Sequence, residues 1–214
     1  KTGGEAAILC LMSGDFVQRG EPAIYDKYRR AEEAVKAGAD LVLELPYPWS
    51  SSVADRFAGG AISILDALHT VDTLFFGSEE KDAAALRKIA RRLSDGEFLS
   101  AMTALRQEHK ELSHPQLRDL CYREYYGEDI VLRPNEILGA CYIAAAEKRK
   151  MEIGFEALPI LEGYSASALR EGLYAGEKKG LARLSNGERT ILSMLTLGNG
   201  KRISHKAGEA IIVK

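Results

Sequence analysis

Ala6-Ala-Ile-Leu-Cys-Leu-Met12, closed by Ser13-Gly14-Asp15, is followed by Asp26-Lys-Tyr-Arg-Arg-Ala-Glu-Glu-Ala-Val-Lys-Ala37 and then by Leu41-Val-Leu-Glu-Leu45. The first run is short, apolar and stopped by turn residues, which suits a strand buried on both faces. The second changes period. Tyr28, Ala31, Ala34 and Val35 fall on one side of a helix, and Gly38 ends it where a left-handed residue is often needed. The third is another strand, closed by Pro46 and Pro48. The alternation continues with a helix from about Ser52 to Leu68, a strand Thr73-Leu-Phe-Phe76 ending at Gly77-Ser78, and a helix from Asp82 to Leu93. Strands alternating with helices in this way predict right-handed β-α-β units and an α/β fold on a parallel sheet. Ligands in such sheets bind at the carboxyl ends of the strands. That rule points to Ser13-Gly14, to Glu44 through Pro48, and to Gly77-Ser78.

Beyond this core, residues from about Glu97 to Lys148 read as mostly helical, interrupted near Gly127 and Arg133-Pro134. Phe155-Glu-Ala-Leu-Pro-Ile160 reads as a short strand, and Ser165 to Tyr174 as a helix with a serine cap, ended by Gly176. Two further short helices are predicted around Arg189–Leu195 and Ser204–Val213. The expected organisation is a body over 1–176, with a helical insertion near 97–130, and a basic helical segment over 177–214.

The chain has 214 residues, 46% hydrophobic and 28% charged, enough apolar content to bury a core and to exclude a disordered chain. No apolar run approaches the roughly 18 residues of a membrane span, and nothing resembles a signal peptide. Cys10, Cys121 and Cys141 form an odd, scattered set without C-x-x-C spacing, so each is expected to pack as a small buried hydrophobe in a reducing, cytoplasmic setting. The net charge of −2 argues against a wholly basic nucleic-acid coat. It is unevenly spread, however. From Glu177 onward there are 8 Lys/Arg against 3 Asp/Glu, about +5, which leaves 21 basic and 28 acidic residues, about −7, elsewhere. Such a segment is either a solvated helical surface or a contact for a polyanion.

Four polar clusters carry candidate chemistry. Met12-Ser-Gly-Asp-Phe-Val-Gln-Arg-Gly-Glu-Pro-Ala23 follows a strand, with Gly14 and Gly20 permitting tight turns and Gln18 and Arg19 offering forked donors to an acyl or phosphate oxygen. An ordinary crossover loop would have the same composition. Gly77-Ser78 ends a strand where a glycine lets a base or ribose approach the backbone, or simply turns the chain. In Arg133-Pro-Asn-Glu-Ile-Leu-Gly139, Asn135 sits near a helix start, as an N-cap or as an amide that reads adenine or a ribose hydroxyl. Tyr164-Ser-Ala-Ser-Ala-Leu-Arg170 is a helix start with two hydroxyls and an arginine one turn on, either a capped surface helix or a phosphate site. His69, His109, His114 and His205 have no metal-ligand spacing, so no metal site is predicted. There is no Walker A sequence, no G-x-G-x-x-G and no nucleophile elbow.

Taken together and in order, these clusters resemble a known family. Met12 through Lys27 closely resembles the signature of bacterial tRNA(Met) cytidine acetate ligases. Ala37-Gly-Ala-Asp-Leu-Val-Leu-Glu-Leu-Pro46, Phe76-Gly-Ser-Glu79 and Arg133–Gly139 are similar to further blocks of that family. The resemblance implies a Rossmann-like nucleotidyltransferase domain of the HIGH-motif superfamily, with helical additions and a small C-terminal helical segment. It implies an enzyme that activates acetate with ATP as acetyl-adenylate and passes the acetyl group to N4 of the wobble cytidine of elongator tRNA(Met). By the family pattern Gly77 and Asn135 match positions that contact ATP, with Ser78 beside them. Ser165, Ser167 and Arg170 match a second phosphate motif, usually I-S-S-x-x-I-R, here altered by Tyr164, Ala166 and Leu169. Ser13, Gly14, Gln18, Arg19 and Lys27 belong to the signature block and are expected to line the acyl and nucleotide cavity, with Lys27 and Arg170 in catalytic roles. Mg²⁺ is expected on the phosphates, without a carboxylate cage. Lys178, Lys179, Lys201 and Arg202 are expected to meet the tRNA backbone.

Two departures stand beside the resemblance. Family members begin with a strand and an N-P-F-H-N-G-H segment, and the chain, which starts at Lys1 without Met, has no H-x-G-H. An Arg-bearing loop with Tyr-His-Asp between Ile160 and Gly163 is also absent. The expectation is that the sequence, short for the family, omits active-site loops, and that a chain truly lacking them is badly impaired in catalysis. Two other readings remain open: a small-metabolite adenylyltransferase on the same fold, and a non-catalytic nucleotide- or RNA-binding relative.

Overall fold

The computed structural model describes residues 7–18, 20, 22–23, 25–79, 81–160 and 210–213. In chain order these form β1 (Leu9–Ser13), α1 (Lys27–Lys36), β2 (Leu41–Leu45), α2 (Ala54–Leu68), β3 (Thr73–Ser78), α3 (Ala83–Leu93), α4 (Gly96–Glu108), α5 (His114–Tyr126), α6 (Pro134–Arg149), β4 (Gly154–Pro159) and β5 (Ala210–Val213). The strands make one sheet in the order β2-β1-β5-β3-β4. β1 pairs with β2 in parallel, and β3 with β4 in parallel. The β-α-β alternation read from the sequence is therefore present on both sides of the sheet.

The middle of the sheet departs from expectation. β5 lies between β1 and β3 and runs antiparallel to both. Where the sequence pattern predicts a helix over 204–213, residues 210–213 form a strand; Ala-Ile-Ile-Val is rich in β-branched residues, whose stiff side chains favour extended backbone over a helix. Because β1 and β3 are both antiparallel to β5, they run in the same direction. Leu9 and Leu74 pair at the same level of β5, opposite Val213, so four residues on, Ser13 and Ser78 end their strands at the same height. The chain leaves β1 toward one edge of the sheet and β3 toward the other, which makes this the switch point where such folds bind ligands.

β1 is buried along nearly its whole length, as a strand covered on both faces should be. Against the sheet, α2 buries Phe57, Ala58, Ala61, Ile62 and Leu65, and packs on α6, which also carries α3. Each fully buried side chain such as Ile62 or Leu65 contributes about 1.5–3 kcal/mol. Phe76 of β3 meets Tyr142 of α6 with ring centroids 6.1 Å apart. Its ring also lies against Gly139, where a Cβ would enter the ring, so the glycine closing the Arg133–Gly139 block is a packing requirement. α4 and α5 pack together as a hairpin. It closes on Phe98, whose ring meets those of Tyr122, Tyr125 and Tyr126 at 6.2, 6.1 and 5.6 Å. Arg92 of α3 stacks over Tyr126 and pairs with Glu128, tying the hairpin to the body.

Cys10 and Cys121 are buried, as expected of small hydrophobes. Cys141 differs: it is only partly buried, and its Sγ donates to Asp55 Oδ1 at 3.0 Å. Among the described residues no helix is long and apolar enough to cross a membrane.

Candidate functional site

The signature block leads from the carboxyl end of β1 into α1 and meets the carboxyl end of β2 through Lys27 and Glu44. Ser13 closes β1 and is buried, and Gly14 follows it, also buried. The carboxylate of Glu44, the penultimate residue of β2, lies over Gly14 so closely that a Cβ there would collide with Oε1. Its other oxygen, Oε2, accepts from Lys27 Nζ at 2.7 Å. Asp26 caps α1 by accepting from the Tyr28 and Arg29 amides, which puts Lys27 at the first helical position. The Lys27 amide donates to Asp15 Oδ1 at 2.9 Å, and Ala23 N–H donates to Asp15 O at 2.8 Å. Arg30 donates through Nη2 to Gly14 O and through Nε to Tyr25 O. The loop is thus held at both ends. Gln18 sits partly buried on it, beside Gly20 with φ 72°.

Charge follows from these contacts. The hydrogen bond to Glu44 raises the Lys27 ammonium above the ordinary lysine value, outweighing desolvation. Burial lowers Arg30 from its usual value, against the pull of Asp15, Asp26 and Glu44. Tyr25 is pushed up to about 12 by burial. This side of the site therefore sets a charged ammonium, paired with the Glu44 carboxylate, beside a strand end.

The end of β3 is built differently. The Ile160 side chain lies over Gly77, 3.2 Å from where a Cβ would be, so this glycine gives its space to a neighbouring side chain. Ser78 is buried and donates to Lys81 O at 2.7 Å. Asn135 is not the N-cap of α6. Pro134 takes the first helical position, which its fixed φ favours, and Arg133 becomes the cap residue. Asn135 lies one step further in, and its Nδ2 donates to Glu79 Oε1 at 3.0 Å. Beside it Glu136 is fully buried, accepting from Lys81 N, Lys81 Nζ and Arg133 N at 3.2, 3.3 and 3.0 Å.

Of the residues singled out in the sequence, Ser13, Gly14, Gln18 and Lys27 are brought together at the end of β1, and Gly77, Ser78 and Asn135 at the end of β3. Arg19, Ser165, Ser167, Arg170, Lys178, Lys179, Lys201 and Arg202 lie outside the described residues.

Known proteins resemble this chain in sequence and fold. The HIGH Nucleotidyl Transferase family matches residues 1–183. The chain belongs to that family. Among curated relatives, the tRNA(Met) cytidine acetate ligase of Caldanaerobacter subterraneus subsp. tengcongensis is 43% identical over 151 residues, 68% of this chain and 37% of that protein. The protein of the same name from Listeria monocytogenes serotype 4b (strain F2365) is 36% identical over 185 residues, covering 79% and 47%. The one from Syntrophotalea carbinolica is 38% identical over 192 residues, covering 87% and 45%. The chain thus spans less than half the length of these relatives. A crystal structure of Thermotoga maritima TmcAL bound with alpha-thio ATP superposes with a TM-score of 0.76 at 32% identity, covering 90% of this chain and 49% of that one. Its apo form gives 0.74 at 30% identity.

Within this nucleotidyl transferase chain, the sequence reading misses three charged residues that organise the site, Arg30, Glu79 and Glu136, and finds Glu44 only as part of the β2 strand end. Glu44 interrupts the apolar run Leu41-Val-Leu-Glu-Leu45 and Glu136 opens Glu136-Ile-Leu-Gly-Ala140, whereas Arg30 and Glu79 stand among other charges and carry no such signal. A lone charge in such a run is stable only with a partner, and the partner is what the linear pattern hides.

Proposed function

We propose that the protein is an ATP-dependent acetate ligase acting on N4 of the wobble cytidine of elongator tRNA(Met). The observation that carries this reading is the 43% identity to a tRNA(Met) cytidine acetate ligase, supported by the likeness to TmcAL bound with alpha-thio ATP. In the first step an acetate oxygen attacks the α-phosphorus of ATP and the bond to the β-phosphate oxygen breaks, giving acetyl-adenylate and pyrophosphate. In the second, cytidine N4 attacks the acetyl carbonyl, AMP leaves with the bonding electrons, and N4 loses a proton.

The residues divide by what they offer. Lys27, held charged by Glu44, neutralises phosphate or carboxylate charge near Ser13 and Gly14, with Gln18 and Arg19 toward the acyl group. Asn135 and the Gly77-Ser78 end of β3 face the nucleoside. Ser165, Ser167 and Arg170 take phosphate oxygens by their match to the family motif. Mg²⁺ arrives with the nucleotide, held mainly by phosphate oxygens. The acceptor cytidine is unpaired in an anticodon loop, so it can be presented without melting a helix. Lys178, Lys179, Lys201 and Arg202 hold the tRNA backbone, and the reaction belongs in the cytoplasm, where tRNA and ATP meet.

Incubating the intact protein with labelled acetate, ATP and elongator tRNA(Met) tests the reading. N4-acetylcytidine at the wobble position with stoichiometric pyrophosphate is the expected result. Turnover of a small nucleotide precursor without tRNA acetylation would overturn it in favour of a metabolite adenylyltransferase. ATP binding without pyrophosphate release would point to a non-catalytic relative.

A further inference from the structure

We propose that Glu79 is a positioning residue that locks the Asn135 carboxamide with its carbonyl toward the nucleotide, so that the site selects a purine bearing a 6-amino group over one bearing a 6-oxo group. The inference rests on the nucleotide-facing role given to Asn135 above and adds the reason for its specificity. An ionised carboxylate only accepts hydrogen bonds, so the atom of Asn135 that faces Glu79 Oε1 at 3.0 Å must be the NH2 group. The amide is therefore fixed one way round. Its Oδ1 is turned from Glu79 and makes no hydrogen bond to a described residue.

A fixed acceptor reads only some ligand groups. Ribose hydroxyls both donate and accept, and satisfy an amide in either orientation. The adenine 6-amino group donates, whereas the 6-oxo group of inosine only accepts and would face Oδ1 as one lone pair against another. Glu79 has a second mark of a positioning role: its Oε2 is buried without a hydrogen-bond partner among the described residues. A carboxylate kept merely to join β3 to α6 would be expected to use both oxygens, because an unpaired buried oxygen is destabilising. Neighbouring Glu136, which does join these elements, accepts from Lys81 and Arg133 with both of its oxygens.

The test compares ATP with inosine triphosphate by calorimetric binding to the intact protein. Glu79→Gln keeps the shape but lets the facing amides pair either way round, freeing Asn135 to turn. The expected result is a preference for ATP over inosine triphosphate that narrows on the order of tenfold, the span of one hydrogen bond. Asn135→Ala should narrow it as much, and adding Glu79→Gln to Asn135→Ala should change it no further. An unchanged ratio in Glu79→Gln or in Asn135→Ala, or an effect of Glu79→Gln that persists without Asn135, overturns the proposal. Should Glu79→Gln fail to fold, Glu79→Asp, whose shorter side chain withdraws the carboxylate from Nδ2, takes its place, alone and with Asn135→Ala, and is read the same way. Wild-type protein that binds no ATP defeats the functional reading itself, which this comparison separates from failure of the positioning role.

Discussion

Gly14, Glu44 and Lys27 form a unit in which each fixes the next. The Glu44 carboxylate occupies the space over Gly14 and holds Lys27 Nζ at 2.7 Å. A Gly14→Ala substitution therefore pushes the carboxylate aside and releases the ammonium. The pair is a third or more exposed, so little stability depends on it. In the proposed ligase the expected outcome is a melting temperature near wild type with acetate activation reduced on the order of 10²-fold, the scale of a misplaced group. A large fall in melting temperature with activity per folded molecule intact would count against it. The same unit predicts a titration. Glu44 raises the folded-state value of Lys27, so the stabilisation is fully present below the ordinary lysine value and is lost as pH rises through the raised one. In Glu44→Gln the ammonium should titrate at lower pH than in wild type, read by NMR at the Lys27 side chain. Gly14 and Lys27 are visible in the sequence as parts of one block. Glu44 is visible as part of the Glu44–Pro48 strand end but not as their partner, because it meets them through the parallel register that sets Met12 beside Glu44, which no spacing within the block reveals.

At the scale of elements, the junction of β3 and α6 depends on a buried carboxylate. Glu136 is fully buried and satisfies the amides of Lys81 and Arg133 as well as the Lys81 ammonium, which is itself a quarter exposed and donates also to Val131 O. Replacing Glu136 with alanine leaves two backbone donors and part of a charge without partners, at about 1–3 kcal/mol for each unsatisfied group. A loss of about 2–4 kcal/mol in urea denaturation is expected; a loss below the error of the measurement would show that water or rearrangement replaces the carboxylate. Element type is largely legible here: the 3.6-residue period and the short apolar runs place α1 through α3 and β1 through β4 close to where they lie. What escapes is finer. Pro134 claims the first position of α6 and Arg133 the cap, which puts Asn135 two residues past the cap, with its amide on Glu79. The four residues of β5 escape for a different reason, since a run that short pairs as a strand only because β1 and β3 flank it.

At the scale of the whole molecule, the decisive feature is the separation of charge along the chain. The body carries an excess of acidic residues, and 177–214 an excess of about five basic ones over acidic. An acidic body does not by itself attract RNA, so in the proposed ligase the polyanion must be held chiefly by the basic segment, while ATP and acetate depend on the strand ends. The two functions are then separable by mutation. Reversing Lys178, Lys179, Lys201 and Arg202 to glutamate should weaken tRNA binding strongly. It should also flatten the dependence of log affinity on log salt by roughly 0.7–0.9 for each phosphate that is no longer neutralised. Acetate-dependent ATP hydrolysis should persist, because the described strand-end clusters are built from other residues. Filter binding over a salt series, run beside pyrophosphate release without tRNA, reads both quantities on one preparation. A parallel loss of both activities would mean that the basic segment also supports the nucleotide site, and the division of labour would fail. Retention of tRNA affinity with an unchanged salt slope would mean that the RNA is held by another surface, and that the charge asymmetry is only a solvated face.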